Sequence, residues 1–597
     1  MLTKYALIIC LLYSFFSYSQ NLPINRTVDW TAAGLQDTTT SGFTTIELSD
    51  YAFYGDSIIP NDSIMQYVLD SVVIDKAILI FPAGNFLFKE ILFLKENIIL
   101  RGQGATETVL FFNQVSLDHS IIIQGKTSNY DTTFVTNSLI KNTNYIKVNA
   151  ANNLVAGDWI KVLFDDSDLV TSTWATNTVG QIIQIKEVFT DSLTLKSAIR
   201  LDIDTAKKPF ILKLEPIKNV GIECLKIHRM SSTIPSQKSN IYISNAVNCW
   251  VNGIESENCT FAHIDIRLSS NIQVSKSYFH HAFDYGGGGR AYGVMIHITA
   301  NECLVEDNIF NNLRHSMIVQ AGANCNVFAY NYSINPNRTE IPFNFAGDMV
   351  LHGNYPFANL FEQNICQNLS IDNSHGANGR HNTYLRNRAE LYGIFMSANN
   401  SPSQNFIGNE ITNLTNPYAG FNYNIVGADH FIFANNNKGT VVPDATDIVI
   451  DKSYYYDNKP SFLAENEWAK IGELALYDNV SIPAKNRFIS AYQDNTYCKV
   501  IVTPTDTVDP IDTISTIYAP KEERFSIYPN HFESYLNIES SEKFKNIQIF
   551  DAVGKLVFEF KNPNTSIQVN TLDWQKGLYL ISIQTENKTR IKKALKY

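Results

Sequence analysis

Short apolar runs recur through the middle of the chain, and an asparagine follows each of them. The segments are VEDNIF, AYNYS, EQNIC, LRNRA and IGNEI, and their asparagines are Asn308, Asn331, Asn364, Asn387 and Asn409. The successive gaps are 23, 33, 23 and 22 residues, so that one gap is the base period plus an insertion. A fixed period in this range is typical of a solenoid, in which each repeat buries its apolar face against its neighbours. Runs of three to five apolar residues between Gly/Asn turns favour strands over helices.

The recurring asparagine has a physical use at a corner of such a solenoid. Its side-chain amide can bond to the repeats above and below, and thereby satisfy backbone groups that a tight inward turn would leave unpaired. The pattern resembles the asparagine ladder of right-handed parallel β-helix proteins of the pectate-lyase superfamily. The resemblance implies an all-β fold over residues 21–500, with the five asparagines stacked at one inward corner.

The N-terminal part fits the same resemblance. A polar turn and an amphipathic stretch from Gly55 precede the apolar strand ILIFPAGNFLF from Ile78 and the strand LKENIILRGQG from Leu94. This order is similar to the N-terminal cap of the superfamily, in which a short helix covers the open end of the solenoid. An uncovered end would expose unpaired strand edges, so that a cap is physically required.

A different pattern interrupts the solenoid at about residues 135–215. Apolar and polar positions alternate there with the period of antiparallel strands, and Gly-Asp turns lie between them. We expect a small β subdomain inserted into the β-helix. Trp159 and Trp174 lie in this segment and could either stack on sugar rings or serve the packing of the subdomain.

The C-terminal end forms a separate unit. Residues 501–523 are rich in Thr, Pro and Asp and lack apolar periodicity, which predicts a linker. Residues 524–597 carry short strands and the motifs Tyr528-Pro529-Asn530, Asp551 to Gly554, Gly577-Leu578-Tyr579 and Lys592-Lys593. These motifs closely resemble the β-sandwich sorting domain of the type IX secretion system of Bacteroidetes. The resemblance implies a contact with that secretion machinery, export across the outer membrane and loss of this domain.

The N-terminus and the charge agree with an exported protein. Residues 1–20 have an early Lys, an apolar run and a small or polar exit, as expected for a secretory signal peptide. No later segment predicts a transmembrane helix, and the net charge of −11 gives no reason to expect nucleic-acid binding. We expect a secreted or cell-surface monomer. Seven cysteines remain after the signal peptide and show no disulfide spacing, so that we expect buried apolar fillers.

Alignment of the repeats predicts one column of side chains. Counting back eleven or twelve positions from each ladder asparagine gives His297, Gln320, His352, His375 and Ser397, and a preceding repeat adds Arg267. Stacked strands lie about 4.8 Å apart, so that five such residues would form a stripe about 20 Å long. A register error of one residue would turn the column to the opposite face.

Two insertions and a cluster of histidines fall near this column. The segments His280–Tyr292 and Asn335–Asp348 precede its strands and would form one wall of a groove. Eight of the twelve histidines lie between residues 263 and 381. A groove of this length suits an oligosaccharide better than a small metabolite.

The residue types in the groove favour a polysaccharide lyase that acts by β-elimination on a uronic-acid polymer. Such an enzyme needs a base and a cation that stabilises the developing charge on the substrate carboxylate. The predicted catalytic residues are His297, His352, His375 and Arg314. The predicted substrate-binding residues are Arg267, Arg290, Tyr292, Gln320, Asp348 and Arg380.

Two other functions remain open from the sequence. A glycoside hydrolase would use a pair of carboxyl groups, for which Asp265, Asp348 and Asp372 are the candidates. A non-catalytic, glycan-binding surface β-helix is the third possibility. No cofactor and no metal are predicted, because no ligand spacing supports a metal site; calcium on Asp and Glu side chains stays open.

Overall fold

The structure of the protein is a computed structural model that describes most of the chain. The described residues are 21–36, 40–114, 117–126, 132–151, 153–443, 450–463, 467–473, 480–490, 494–498, 525–528, 531–532, 534–540, 543–552, 554–561, 565–585 and 589–596. The predicted signal peptide and linker lie outside them. Contacts divide the chain into two units, residues 1–503 and 504–597.

Three sheets of parallel strands build the first unit, and each complete rung contributes one strand to each sheet. The first sheet contains Thr44–Glu47, Ala77–Ile80, Ile98–Arg101, Gly221–Glu223, Ala246–Asn252, Ser270–Ser275, Leu304–Glu306, Val327–Ala329, Leu360–Glu362, Thr383–Leu385, Asn405–Ile407 and Phe431–Phe433, with Ile217–Lys218 beside it. The second contains Asp56–Pro60, Gly84–Phe88, Thr108–Phe112, Lys226–Arg229, Glu255–Cys259, Tyr278–Ala282, Ile309–Asn311, Tyr332–Ile334, Ile365–Ile371, Arg388–Met396, Glu410–Ile411 and Asn435–Asn437, which Thr440–Val442 joins antiparallel. The third contains Leu92–Leu94, Ile121–Gln124, Ile241–Ser244, Ala262–Arg267, Tyr292–His297, His315–Val319, Met349–Leu351 and Tyr423–Asn424.

Two long strands join the second and third sheets near the end of the coil. Ile365–Ile371 pairs with Tyr332 of the second sheet and, through its last residues, with Met349–Leu351 of the third. Arg388–Met396 follows it along both sheets. The corner between the two sheets is therefore crossed without a break in these two rungs.

The interior of the coil is filled by stacked apolar side chains. Ile241, Ile264, Val294, Met317 and Met349 occupy matching positions on successive strands of the third sheet, and all are buried. Burial of each such side chain contributes about 1.5–3 kcal/mol. Like side chains thus recur at one position of each rung, because a parallel register places them in line.

An aromatic stack continues this packing in the first sheet. The rings of Phe328, Phe361, Tyr384 and Phe406 stack at centroid separations of 5.0, 5.1 and 5.2 Å, and their planes are nearly parallel. All four residues are fully buried.

The asparagine ladder lies at the corner between the first and second sheets. The side-chain nitrogens of Asn308, Asn331, Asn364 and Asn387 each donate to the side-chain oxygen of the next ladder asparagine, at 3.0, 2.9, 2.9 and 3.1 Å. The same nitrogens donate to backbone carbonyls, and the same oxygens accept from backbone N–H groups. The predicted ladder is confirmed, and it continues from Asn409 to Asn435.

A second ladder lies just before the strands of the first sheet. Asn326 donates to Asn359 at 2.9 Å, Asn359 to Asn382 at 2.9 Å, and Asn382 to Gln404 at 3.1 Å. Its gaps of 33, 23 and 22 residues repeat those of the first ladder. The chain is therefore pinned at two corners of these rungs.

The segment predicted as an inserted β subdomain forms one antiparallel sheet. Its strands are Thr132–Phe134, Tyr145–Lys147, Trp159–Leu163, Gly180–Val188, Ser192–Leu195 and Phe210–Leu214. The subdomain is attached to the β-helix by polar contacts and by Phe357 and Ala358, which belong to its hydrophobic core. Arg200 forms a buried ion pair with Glu302, and the side chain of Asn301 bonds to both backbone groups of Ile182 at 2.8 and 3.0 Å.

Helical segments are few and short. The α-helices are Asp62–Tyr67, which continues into a wider turn at Val68–Val72, and Pro483–Ser490; single 3-10 turns occupy Ile24–Arg26, Leu48–Asp50, Thr173–Ala175, Thr205–Lys207, Tyr418–Gly420 and Ser461–Leu463. Met65, Val68 and Leu69 of the first helix pack into the core of the first rungs. None of the helices among the described residues has the length and apolar character needed to cross a membrane.

The expectation for the cysteines is wrong for two of them. Cys224 and Cys498 form a disulfide that spans 274 residues. A sequence separation of this size leaves no spacing motif that could reveal the pair. Cys249, Cys259, Cys303, Cys325 and Cys366 are free and buried, as expected for fillers.

The second unit is a small β-sandwich with its own core. Its strands are Phe525–Tyr528, His531–Phe532, Tyr535–Ser540, Asn546–Phe550, Leu556–Phe560, Ser566–Asn570, Gly577–Gln584 and Thr589–Lys596, in sheets of three and five strands. Gly554 closes the Asp551–Lys555 turn with a φ of +83°, a conformation that favours glycine. The predicted fold class, a right-handed parallel β-helix with an inserted β subdomain and a C-terminal β-sandwich, is confirmed.

We expect replacement of Asn364 by alanine to destabilise the β-helix by about 3 kcal/mol, because it leaves buried polar groups of Asn331 and Phe328 without partners. The midpoint of urea unfolding measures the effect. Asn400→Ala, at an exposed position, is the control and should leave the midpoint unchanged. Equal midpoints for both variants would contradict a structural role for the ladder.

Candidate functional site

The outer face of the third sheet carries a column of polar side chains. Arg267 pairs directly with His297, and the neighbouring register pairs align the following rungs in turn. The column is Arg267, His297, Gln320, His352, Asp372 and Ser397. Five rung steps of about 4.8 Å make it about 24 Å long.

One position of this column corrects the sequence alignment. His375 was expected at the position that Asp372 occupies, because the counting assumed an equal distance to each ladder asparagine. The rung that ends at Asn387 has about three additional residues after the third sheet, and His375 lies in that turn. Its ring still lies 5.0 Å from the ring of His352, between centroids.

His352 and Asp372 form the central pair of the column. The Nδ1 atom of His352 lies 2.6 Å from Oδ2 of Asp372, and both side chains are partly accessible, at 12% and 17%. Burial alone would raise the pKa of Asp372, but its bond to His352 and the imidazole charge lower it. An ionised Asp372 can only accept a hydrogen bond, so that Nδ1 of the imidazole carries the proton in this contact. Nε2 is then the nitrogen that can accept a proton.

Two further imidazoles flank this pair. The ring of His315 lies 5.6 Å from that of His352, and its Nδ1 is 2.8 Å from the carbonyl oxygen of Gly347. Burial, followed by the charge of His352, lowers the pKa of His315 to about 3. Burial and His352 also lower the pKa of His375. Both flanking rings are therefore neutral at neutral pH.

A second ionic cluster lies at the start of the column. Asp265 is completely buried, and its two oxygens contact His297 Nε2 at 2.7 Å and Arg267 at 2.8 Å. Burial opposes ionisation, but His297 and Arg267 outweigh it and lower the pKa of Asp265. The pKa of His297 is lowered because the ring is buried. The side chain of His297 is 5% exposed, whereas that of His352 is 12% exposed.

Three further predicted residues lie where the strands of the third sheet begin: Arg290, Tyr292 and Arg314. The Nη1 atom of Arg314 donates to the carbonyl oxygens of Tyr285 and Gly287 in the first insertion, and Glu340 of the second lies 3.5 Å away. Arg290 forms an ion pair with Asp284 inside the first insertion. Both predicted wall loops therefore meet at Arg314.

The remaining predicted residues are placed as follows. The hydroxyl of Tyr292 accepts from Gly289 N at 2.8 Å, and its ring packs on His315 at 5.2 Å. Gln320 lies in the column, and its buried Oε1 atom has no hydrogen-bond partner among the described residues. Arg380 is exposed in the turn towards the first sheet, and its backbone carbonyl accepts from Ala358. Among the described residues, no hydrogen bond, ion pair or ring contact joins Arg380 to the column.

Asp348 is placed inside the protein rather than in the groove. It is 1% exposed and accepts bonds from Ser333 Oγ and from the backbone N–H groups of Gln367 and Asn368. Burial raises the pKa of Asp348 to about 7. Its contacts fix the corner where the second and third sheets merge.

The inserted subdomain supplies a part of the site that the sequence did not reveal. Ser172 Oγ lies 3.3 Å from His375 Nδ1, and the ring of Trp174 lies 5.7 Å from that of His375 in an edge-on arrangement. Trp174 is 46% exposed. The subdomain therefore borders the column on the side opposite the two insertions. About 200 residues separate these partners along the chain.

One group of described residues has the geometry of a metal site. Donor atoms of Glu255, Glu257 and His280 lie within 4.8 Å of one another on the outer face of the second sheet. The ammonium group of Lys226 bonds both carboxylates, at 2.6 and 2.8 Å. The ammonium group of Lys226 therefore already supplies the positive charge that a metal ion would bring to these carboxylates.

Comparisons with known proteins identify one part of the chain by family. Residues 526–596 match the secretion system C-terminal sorting domain. The C-terminal unit is a sorting domain. No curated protein matches the chain.

Solved structures similar to this chain are distant in sequence. The tailspike protein gp49 from Pseudomonas phage LKA1 is 15% identical with a TM-score of 0.48, and the match covers 61% of this chain and 63% of that one. The mannuronan C-5 epimerase AlgE6 A-module of Azotobacter vinelandii is 10% identical, with a TM-score of 0.33 and coverages of 65% and 98%. The Streptococcus pneumoniae surface protein and adhesin PfbA is 10% identical, with a TM-score of 0.30 and coverages of 66% and 99%. The chain thus spans less than two thirds of the tailspike.

We expect Asp348→Asn to remove part of the pH dependence of stability. The folded-state pKa of Asp348, about 7, lies above the unfolded value of about 3.9. Its contribution is therefore fully present below pH 3.9 and is lost as the pH rises through 7, by up to about 4 kcal/mol. Unfolding free energies at several pH values between 4 and 8 measure it. The exposed control Asp457→Asn should keep the wild-type slope, and an equal slope in Asp348→Asn would contradict the assignment.

Proposed function

We propose that this protein is a secreted polysaccharide lyase that cleaves a uronic-acid polymer by β-elimination. The observation that supports this proposal most directly is the His352–Asp372 pair in the middle of a long polar column. An imidazole whose Nδ1 is held by a carboxylate directs Nε2 towards the groove, which is the arrangement of a general base. The length of the column suits an extended polymer.

In the proposed reaction, Nε2 of His352 takes the proton from the carbon next to the uronic-acid carboxylate. The electron pair of the broken C–H bond forms a double bond to the adjacent carbon. The bond from that carbon to the linking oxygen breaks, and the oxygen leaves with the electron pair and takes a proton. The products are an unsaturated sugar end and a new reducing end, and no oxidant or added water is consumed.

The charge that develops on the substrate carboxylate needs a nearby cation. Arg314 is the predicted residue for this role. Its positive charge contributes to lowering the pKa of His315, whose ring packs against that of His352. Its Nη1 bonds to the first insertion hold the guanidinium in place. Such a fixed donor stabilises developing charge without reorganisation.

Arg267 has a different position and therefore a different proposed role. It lies three rungs from His352, which is about 14 Å at the usual spacing of strands. That distance is too long for contact with the same carboxylate as His352. We assign Arg267 to a neighbouring sugar along the polymer, with Gln320 between the two positions.

The geometry disfavours a glycoside hydrolase built on the predicted aspartates. Asp265 and Asp372 lie four rungs apart, about 19 Å, whereas paired catalytic carboxyls stand roughly 5–10 Å apart. Asp348 is enclosed by its own hydrogen bonds.

We expect His352→Ala to reduce turnover by about 10²–10⁴ with little change in stability, because the base is lost from a partly exposed position. Turnover is followed on acidic polysaccharides by absorbance at 235 nm and by reducing ends. His228→Ala is the matched control, since its imidazole also bonds a carboxylate, Glu257 at 2.7 Å, on another sheet. Arg314→Ala, His375→Ala and His297→Ala complete the series.

Each result of this assay decides between functions. Unsaturated product that depends on His352 supports the lyase. Reducing ends without absorbance would select a hydrolase, and binding without either product would select a non-catalytic glycan-binding protein. Full activity in all four variants would remove this column from the mechanism.

We further propose that export uses the type IX secretion machinery. Deletion of residues 524–597 should leave the β-helix folded but retain it inside the cell, because the sorting domain forms a separate unit. Immunoblots of cells and culture medium measure delivery. Fusion of the deleted segment back to the truncated chain should restore it, and normal delivery of the truncated protein would contradict the assignment.

A further inference from the structure

A large cavity lies between the inserted subdomain and the β-helix. Its volume is about 810 Å³, which is within the usual range of sites for small organic ligands. Trp159, Gln184, Lys186 and Lys196 line it from the inserted sheet, and Lys218 and Asn248 from the β-helix. None of its lining residues belongs to the column on the third sheet.

The cavity is positively charged, although the whole chain is acidic. Lys186, Lys196 and Lys218 form no ion pair with any described carboxylate. The one acidic residue in the lining is Glu302, and Arg200 neutralises it in a buried ion pair. The described lining therefore has three uncompensated positive charges on a chain whose net charge is −11.

Side-chain amides form an ordered row at the edge of this cavity. Asn248 donates to Asn219 at 2.9 Å, and Asn219 donates to Asn97 at 3.0 Å, so that the amides are held in fixed orientations. Fixed amides present both donors and acceptors to the hydroxyl groups of a ligand.

Trp159 adds an aromatic surface. Its side chain is half-buried and stacks on no other aromatic ring of the described chain. Together with Lys218 it also lines a neighbouring cavity of about 540 Å³. An indole in this position presents an apolar face beside cations and amides, and this combination suits a charged sugar.

We propose that this cavity is a second carbohydrate site, which binds an anionic oligosaccharide independently of the column. Trp159 packs against the face of a sugar ring, and Lys186, Lys196 and Lys218 bind its carboxylate or sulfate groups. The side-chain amide of Asn219 binds a hydroxyl group. A polymer held there remains attached to the protein whether or not the column cleaves it.

Calorimetry at low salt tests the proposal with the His352→Ala protein, which keeps all cavity residues. The probes are tetrasaccharides of galacturonic acid, of sulfated galactose and of neutral galactose. We expect at least one of the two anionic probes to bind. The neutral probe should bind at least tenfold more weakly than that anionic probe. The comparison of carboxylated and sulfated probes identifies the preferred anion.

The variant Lys186→Ala/Lys196→Ala should weaken binding of the anionic probe at least tenfold. Lys89→Ala/Lys147→Ala removes the same charge from exposed positions outside the cavity and should bind as tightly as the parent. Trp159→Leu should weaken binding by a similar factor, and circular dichroism checks that each variant is folded.

Lysine acetylation with and without the probe locates the bound sugar. Protection of Lys186, Lys196 and Lys218, but not of Lys89 and Lys147, is the expected pattern. Equal affinities of the two double variants, absence of protection, or failure of every probe to bind would overturn the proposal. The 235 nm assay of the wild-type protein is independent of these results, so that the failure of the lyase proposal and of this one can be told apart.

Discussion

Satisfaction of backbone hydrogen bonds at the corners of the coil is the constraint on which the rest of this structure depends. Strands of three residues can turn inward only if the polar groups of the corner find partners in a dry interior. Asn331 shows how this is achieved, because its nitrogen donates to Val305 O and Asn364, while its oxygen accepts from both nitrogens of Asn308. The same amide therefore satisfies its own turn and fixes the register of the next one.

That fixed register has a direct effect on the outer surface. Because the interior residues Val319 and Leu351 are in register, the next residues, Gln320 and His352, must stand one above the other on the outside. A column of polar side chains is therefore a consequence of the packing of the core. Its spacing is set by the backbone and does not depend on the chemistry of its members.

The inserted subdomain changes what the regular coil can do. It brings Ser172 and Trp174 to His375 and closes one side of the column. On another surface it brings Lys186 and Lys196 opposite Lys218, where they form a basic cavity on an acidic chain. Arg200, Glu302 and Asn301 are among the residues that attach the subdomain to the coil.

The sequence by itself determined the repeat, the ladder and the sorting domain, because each depends on residues at short and regular distances along the chain. It also placed His297, Gln320 and His352 in one column, since each lies 11 or 12 residues before its ladder asparagine. It failed at His375, where additional residues in one turn bring Asp372 into the column instead. The Cys224–Cys498 disulfide, the partners of the histidines and the basic cavity were decided only by the tertiary structure. These contacts join residues up to 274 positions apart along the chain. A local sequence pattern does not indicate which distant side chains the folded coil brings together.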